Sequence, residues 1–171
     1  MRCSNSRFNL LLTEDRPHDV GEQHWTSQLP QLLVSQGVNS LVVDSGEKAI
    51  ALAERMEIHA AVIDLATPRG HDNALPPRPG ASSAFAGAGP GGLWLLELFR
   101  RLPNRPPVVL LRKPAYSYVQ AQRLLREALR LGAFSVMNKP VEIEQLLAVF
   151  QRLVDRRYSG TWPDATGHDA S

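Results

Sequence analysis

Residues 60–68 read AAVIDLATP, and they carry the clearest indication of the fold. Its first four residues form a continuous apolar run that is too short for an independent helix. The run therefore predicts a strand that is buried on both faces, as in parallel sheets. It ends at Asp64, and Pro68 follows four residues later. In open parallel sheets ligands bind beyond the carboxyl ends of the strands, so Asp64 stands where a functional residue is expected.

Four similar runs predict four further strands, and helical patterns separate them. The predicted strands are Phe8–Thr13, Ser40–Val43, Ala60–Ile63, Val108–Leu111 and Phe134–Met137. The first predicted helix carries Leu29, Leu32 and Leu33 on one face, ends at Gly37, and tolerates Pro30 only in its first turn. A second predicted helix is capped by Ser45. Three more are predicted over Leu93–Leu102, Val119–Leu131 and Ile143–Arg157. Strands alternating with helices predict a parallel α/β sheet with right-handed crossovers.

The length of 171 residues fits one domain, which we place at residues 1–158. Within it, the segment Thr67–Gly92 is rich in Pro, Gly, Ala and Ser and is longer than most loops of a compact domain. Such a segment is either functional or disordered. Residues 159–171 are expected to form a flexible tail or the start of a linker.

Composition and charge exclude several classes of protein. The formal net charge is only +2, and the basic tract Arg100–Arg105 is most simply a solvated helix end. There is no recognition-helix pattern or zinc-finger spacing, so we expect no direct binding to nucleic acid. Cys3 is the single cysteine, which excludes a disulfide framework. We expect neither a membrane span nor a signal peptide, and therefore a cytoplasmic protein.

Charged residues collect at the predicted carboxyl ends of the strands. Glu14 and Asp15 follow the first strand, Asp64 the third, and Lys139 the fifth. Three carboxylates at one sheet edge repel one another, and a hard cation such as Mg²⁺ relieves that repulsion. A lysine beside the same pocket suits an additional anion, such as a phosphoryl group.

Five segments in this order resemble the receiver domain of two-component response regulators. They are LLLTED (10–15), GVNSLVVDSGEKAIAL (37–52), AVIDLATP (61–68), GLWLLELFRRL (92–102) and GAFSVMNKPV (132–141). The resemblance spans roughly residues 8–157. It implies a flavodoxin-like (βα)5 fold, a doubly wound sheet of five parallel strands in the order 2-1-3-4-5.

The resemblance also implies the roles of individual residues. Asp64 would be the phospho-acceptor, Lys139 would contact the phosphoryl oxygens, and the bond before Pro140 would be cis. Mg²⁺ would be the cofactor. Its ligands would be Asp15 and Asp64 directly, the backbone carbonyl of Ala66, and Glu14 mainly through water.

Two positions depart from the family pattern, so the chain is an atypical member by this resemblance. Arg112 stands where the family has a switch Ser or Thr at the end of strand four, although spacing from Lys139 points instead to Ser117. Val136 replaces the aromatic switch residue of strand five. Arg112 would act either as a second phosphate clamp or as an ion-pair partner of Asp64 that imitates the activated state.

The expected function is therefore signal transduction without enzymatic turnover. A sensor histidine kinase or phosphotransfer protein would donate the phosphoryl group, and a downstream protein would respond to the change. A homodimer through the fourth helix, fifth strand and fifth helix is a further expectation. The alternative is a phosphorylation-independent pseudo-receiver that acts as an interaction or dimerisation module. A small phosphatase is a weak third reading, because Asp64-Leu-Ala-Thr67 lacks the second Asp which that chemistry needs.

Overall fold

The computed structural model describes residues 8–14, 25–70, 91–114 and 117–158. The strands are β1 (Phe8–Thr13), β2 (Val38–Val43), β3 (Ala60–Asp64), β4 (Val108–Arg112) and β5 (Ser135–Asn138). The helices are α1 (Trp25–Val34), α2 (Gly46–Arg55), α3 (Gly91–Arg101), α4 (Tyr118–Arg130) and α5 (Ile143–Tyr158). The strands pair in parallel in the order β2-β1-β3-β4-β5. The predicted flavodoxin-like α/β fold and its strand order are confirmed.

The sheet separates two apolar layers, and every residue of β3 is buried. Because successive strand side chains point to opposite faces, β3 contributes Ala61 and Ile63 to one layer and Ala60 and Val62 to the other. The first layer contains buried side chains of α2, α3 and α4, and the second contains those of α1 and α5. This two-sided burial is the reason that β3 is a continuous apolar run.

Helix α1 differs from the prediction. It begins at Trp25, so Pro30 lies in its interior and not in its first turn. The buried side chains are Thr26, Leu29 and Leu33, whereas Leu32 is 49% exposed. The spacing of three and four residues between the buried positions fixes the inner face, and Leu32 falls outside it. The predicted cap of α2 is present, since the Ser45 hydroxyl accepts a hydrogen bond from the Lys48 N–H.

The two ends of the segment Thr67–Gly92 lie against each other. Helix α3 begins at Gly91, two residues before the predicted start, and a Cβ atom at Gly91 would lie 2.2 Å from the carbonyl oxygen of Thr67. At Gly92 it would lie 2.6 Å from the Cα atom of Leu65. Only glycine permits this close approach of the backbones. The start of α3 therefore sits beside the carboxyl end of β3, while residues 71–90 fall outside the described ranges.

The predicted domain limits at residues 1–158 and the predicted tail at 159–171 stay predictions, because residues 1–7 and 159–171 also lie outside the described ranges. None of the helices in the described part of the chain is both long and apolar enough to span a membrane.

Candidate functional site

Asp64 is the last residue of β3 and is 1% exposed. Its backbone N–H donates to the Thr13 hydroxyl oxygen at 2.9 Å, and its Oδ1 accepts from the Ala66 N–H at 2.9 Å. A buried carboxylate is costly unless it is paired and hydrogen-bonded. The Ala66 N–H, in the turn after β3, supplies one hydrogen bond to the carboxylate. The Thr13 hydroxyl, at the end of β1, binds the backbone N–H of Asp64.

Lys139 supplies the countercharge. Its ammonium forms an ion pair with Oδ2 of Asp64, and its side chain is 16% exposed. Its backbone N–H donates to the Arg112 carbonyl at 2.7 Å, which ties it to the end of β4. The Lys139–Pro140 peptide bond is cis, as the resemblance implies. Residues far apart in sequence therefore meet at the carboxyl edge of the sheet.

Two threonines support this pair, and sequence reasoning missed both. Thr13 and Thr67 are 0% and 1% exposed, and their hydroxyl oxygens lie 2.7 Å apart in a hydrogen bond. The Thr13 oxygen thus links the Asp64 backbone to the turn that follows it. The available signal was a threonine at the end of an apolar strand, because a buried hydroxyl needs a partner.

Of the expected metal ligands, Glu14 and Asp64 stand at the ends of the neighbouring strands β1 and β3. Glu14 directs Oε1 to the hydroxyl of Thr26, which donates to it at 2.8 Å, and its N–H donates to the Val43 carbonyl at 3.0 Å. Asp15 lies outside the described residues. Among those that are described, no three His, Cys, Asp or Glu side chains group closely enough to hold a metal ion. The donors themselves are all oxygens, which is the chemistry that Mg²⁺ prefers.

Arg112 is turned away from Asp64. Its Nε donates to Asn138 Oδ1 at 2.6 Å, and a terminal nitrogen donates to the Ala121 carbonyl at 3.4 Å. Within residues 8–14, 25–70, 91–114 and 117–158, no ion pair joins Arg112 to Asp64, so that alternative is wrong for this structure. The reason is the strand register, which places Asn138 beside Arg112, while Lys139 forms the ion pair with Asp64.

Ser117 and Val136, the other two positions of the predicted switch, have structural roles. Ser117 caps α4, since its hydroxyl accepts from the Gln120 N–H and the Gln120 side chain accepts from the Ser117 N–H. Val136 is partly buried and packs against the layer of α2, α3 and α4. Among the described residues, neither Ser117 nor Val136 forms a hydrogen bond or a ring contact with Asp64.

The sequence matches no protein-family model and no curated protein. Solved structures do match. A sensor protein from Polaromonas sp. JS666 is 19% identical with a TM-score of 0.60, covering 88% of this chain and 98% of that one. The non-phosphorylated HemR receiver domain from Leptospira biflexa is 20% identical with a TM-score of 0.59, covering 86% and 94%. Chemotaxis protein CheY4 from Vibrio cholerae is 18% identical with a TM-score of 0.57, covering 85% and 98%.

The chain has the receiver fold. In the receiver fold the strand order reverses between β1 and β3, and ligands bind at such a point. Asp64, Thr13 and Glu14 stand at the ends of these two strands. The site therefore combines a carboxylate that is able to act as a nucleophile with an ammonium group that is able to neutralise an anion.

Proposed function

We propose that the chain is a receiver domain of a two-component system in which Asp64 accepts a phosphoryl group. The observation that carries the proposal is the buried ion pair between Asp64 and Lys139 at the carboxyl edge of a receiver fold. A structural aspartate at a strand end would more commonly cap a turn at the surface. Asp64 also bonds the turn that follows it, but its 1% exposure and its pairing with a lysine from another strand end support a role towards an anionic reactant.

The proposed step is a phosphoryl transfer. A carboxylate oxygen of Asp64 attacks the phosphorus atom, the P–N bond of a phosphohistidine breaks, and the imidazole leaves with the electron pair. The Lys139 ammonium then pairs with the phosphoryl oxygens and compensates their charge. When bound, Mg²⁺ would supply a second positive charge, held by Asp15, Asp64 and the Ala66 carbonyl, with Glu14 acting through water.

Mass spectrometry and NMR test this proposal on the full chain. With acetyl phosphate and Mg²⁺, we expect the wild type to gain the mass of one phosphoryl group, with acetate as the leaving group. Asp64→Asn is expected to abolish the gain. The matched control is Asp44→Asn, because Asp44 also follows a strand but forms an exposed ion pair with Lys48. A wild type that gains no mass, or a gain that persists in Asp64→Asn, would contradict the proposal.

The partners follow from the same chemistry. The donor would be a sensor histidine kinase or a phosphotransfer protein, and a downstream protein would recognise the phosphorylated form. We propose a cytoplasmic location for this exchange. A homodimer through α4, β5 and α5 is a further proposal, and sedimentation with and without acetyl phosphate tests it.

The second candidate is a phosphorylation-independent pseudo-receiver. The observation that favours it is Arg112, whose guanidinium bonds to Asn138 and to α4 instead of facing the pocket as a switch hydroxyl would. Beryllofluoride, which mimics a phosphoryl group, separates the two candidates. Amide NMR shifts at the carboxyl edge on its addition with Mg²⁺ support the phospho-receiver, and unchanged spectra support the pseudo-receiver.

A further inference from the structure

A strongly basic surface covers neighbouring parts of α3 and α4. Two adjoining clefts of about 550 and 640 Å³ share Arg130 in their walls. Their arginines define what we call the arginine surface: Arg100, Arg101, Arg105, Arg123, Arg126 and Arg130. The basic tract that looked like a solvated helix end in the sequence is thus joined in space by three arginines of α4.

The arginine surface has a larger net positive charge than the whole chain. Its six arginines share the cleft walls with two acidic residues, Glu97 and Glu127, so the formal charge there is +4. The chain as a whole carries +2, which leaves −2 for all other residues. The positive potential is therefore concentrated on one side of the molecule, and it favours an acidic ligand there.

Internal ion pairs neutralise only part of this charge. Glu97 pairs with Arg101 at 2.7 Å and Glu127 pairs with Arg130 at 2.6 Å. The hydrogen bond from Arg130 holds the pKa of Glu127 below its ordinary value, which keeps that pair ionised. Within the part of the chain that the structure describes, the guanidinium groups of the remaining arginines have no hydrogen-bond or ion-pair partner: Arg100, Arg105, Arg123 and Arg126.

Apolar side chains stand beside these arginines. Tyr118 and Val119 line the second cleft and are 78% and 75% exposed. Leu129 follows on the same helix and is 58% exposed, whereas Leu124 and Ala128 face the core. Tyr118 and Val119 adjoin each other beside the arginines of the second cleft, so they offer an apolar contact next to the positive charge.

We propose that the arginine surface binds an acidic segment of a partner protein that carries apolar side chains among its carboxylates. Arginine pairs with carboxylates in a planar, bidentate geometry, and the exposed side chains of α4 offer apolar contacts to the same segment. Nucleic acid would use the charge and could stack a base on Tyr118, but it would leave Val119 and Leu129 without an apolar partner. A symmetric contact between the arginine surfaces of two copies, as distinct from the proposed dimer face formed with β5 and α5, would set one +4 surface against another.

The first cleft is separate from Asp64, whereas the second runs along α4 to Tyr118 at the carboxyl edge of the sheet. The first cleft is built from the carboxyl-terminal ends of α3 and α4, which lie at the amino edge of a parallel sheet. Asp64 stands at the carboxyl edge. The proposal therefore does not rest on phosphoryl transfer, and it survives or fails independently of it.

Fluorescence anisotropy with the full chain tests the proposal. The probe is a fluorescein-labelled peptide of repeated Glu-Glu-Leu triplets, and polyglutamate of the same length and a short DNA duplex serve as competitors. We expect the combined change Arg100→Glu and Arg126→Glu to weaken binding of the probe by about tenfold or more, since each reversal sets like charges against the peptide. The matched control, Arg55→Glu with Arg152→Glu, has the same net charge but alters exposed arginines elsewhere and is expected to change affinity by less than about twofold.

A second variant tests the apolar part without changing any charge. Tyr118→Ser with Val119→Ser is expected to weaken binding of the Glu-Glu-Leu probe but not that of polyglutamate. Both side chains are exposed, so thermal unfolding is expected to stay unchanged. The proposal is overturned if the probe does not bind, if both charge variants lose affinity equally, if polyglutamate competes as strongly as the unlabelled probe peptide, or if the DNA duplex binds more tightly than the peptide.

Discussion

The carboxyl edge of the sheet has two unlike halves. The acceptor half, Thr13, Asp64 and Thr67, stands at the ends of β1 and β3, and all three residues are at most 1% exposed. The readout half, Arg112 and Asn138, stands at the ends of β4 and β5 and is partly or fully exposed. Lys139 joins the two halves through its ion pair with Asp64.

The difference separates two requirements of a receiver. Accepting a phosphoryl group needs a carboxylate and a cation in fixed positions, and buried hydrogen bonds hold them in the acceptor half. Reading the phosphoryl group needs a side chain that changes partners, and in the readout half the hydrogen-bonded pair of Arg112 and Asn138 takes the place of the hydroxyl. Under the proposed function, accepting and reading the phosphoryl group would fall to different halves, and the following predictions test that contrast in order of decreasing effect.

Removing the bridging cation is expected to have the largest effect. Lys139→Ala leaves the carboxylate of Asp64 buried without its countercharge, and we expect the free energy of unfolding to fall by about 3 kcal/mol. Urea unfolding at neutral pH measures it. Lys48→Ala is the control, because it breaks an exposed lysine–aspartate pair, and its expected cost is below about 1 kcal/mol. Equal losses of unfolding free energy in Lys139→Ala and Lys48→Ala would contradict the expectation that the buried pair contributes more than the exposed one.

The second prediction compares two buried hydrogen bonds of the acceptor half with one exposed hydrogen bond of the readout half. Thr13→Val keeps the shape of the side chain but leaves the N–H of Asp64 and the hydroxyl of Thr67 without their partner. We expect a loss of about 2 kcal/mol, because both groups are buried. Asn138→Ala removes the exposed bond to Arg112, for which water substitutes, and is expected to cost less than about 0.5 kcal/mol. A reversed order of the two losses would refute the contrast.

A hydrogen bond at the opposite edge calibrates these values. The Tyr158 hydroxyl donates to the His59 carbonyl, and burial raises the pKa of Tyr158. Tyr158→Phe is expected to cost about 1 kcal/mol at neutral pH. A raised pKa means that the contribution is fully present below the ordinary tyrosine value of about 10 and is lost as the pH rises through the folded-state value. The loss of stability on going above that pH should therefore be smaller in the variant, and equal alkaline losses in the two proteins would count against this account.

The smallest effect on stability is expected from Arg112→Ser, below about 0.5 kcal/mol, because Arg112 is partly exposed. This change restores the hydroxyl that the family has at the end of β4. On addition of beryllofluoride and Mg²⁺, we expect amide shifts in the wild type to stay near Asp64 and in Arg112→Ser to extend into α4. Arg100→Ser is the control for loss of charge. The same spread of amide shifts in the wild type, Arg112→Ser and Arg100→Ser would show that Arg112 does not restrict the response of α4.

Most of the fold could be predicted from local pattern. The strands were found because residues buried on both faces of a parallel sheet form unbroken apolar runs, as in β3. Helix α1 was placed less well, since its inner face depends on which side packs against the sheet. The sequence could not show that Leu32 faces outward or that Pro30 lies inside the helix.

The candidate site was predictable in its residues but not in its bonds. Asp64 and Lys139 were found because charged residues directly follow buried strands. The hydrogen bonds between Thr13, Asp64 and Thr67 were missed, because they join residues more than fifty positions apart. The partner of Arg112 was left open for the same reason, and the strand register decided it in favour of Asn138.

The order of strands and helices along the chain and the residue types at each strand end follow from apolar periodicity and composition, which can be read from the sequence. Which of these side chains meet depends on the tertiary structure. In the folded chain Asp64 pairs with Lys139 and not with Arg112, and the arginines of α3 and α4 lie on one surface. The physical reason is that burial and pairing depend on distances across the sheet, which no local stretch of residues specifies.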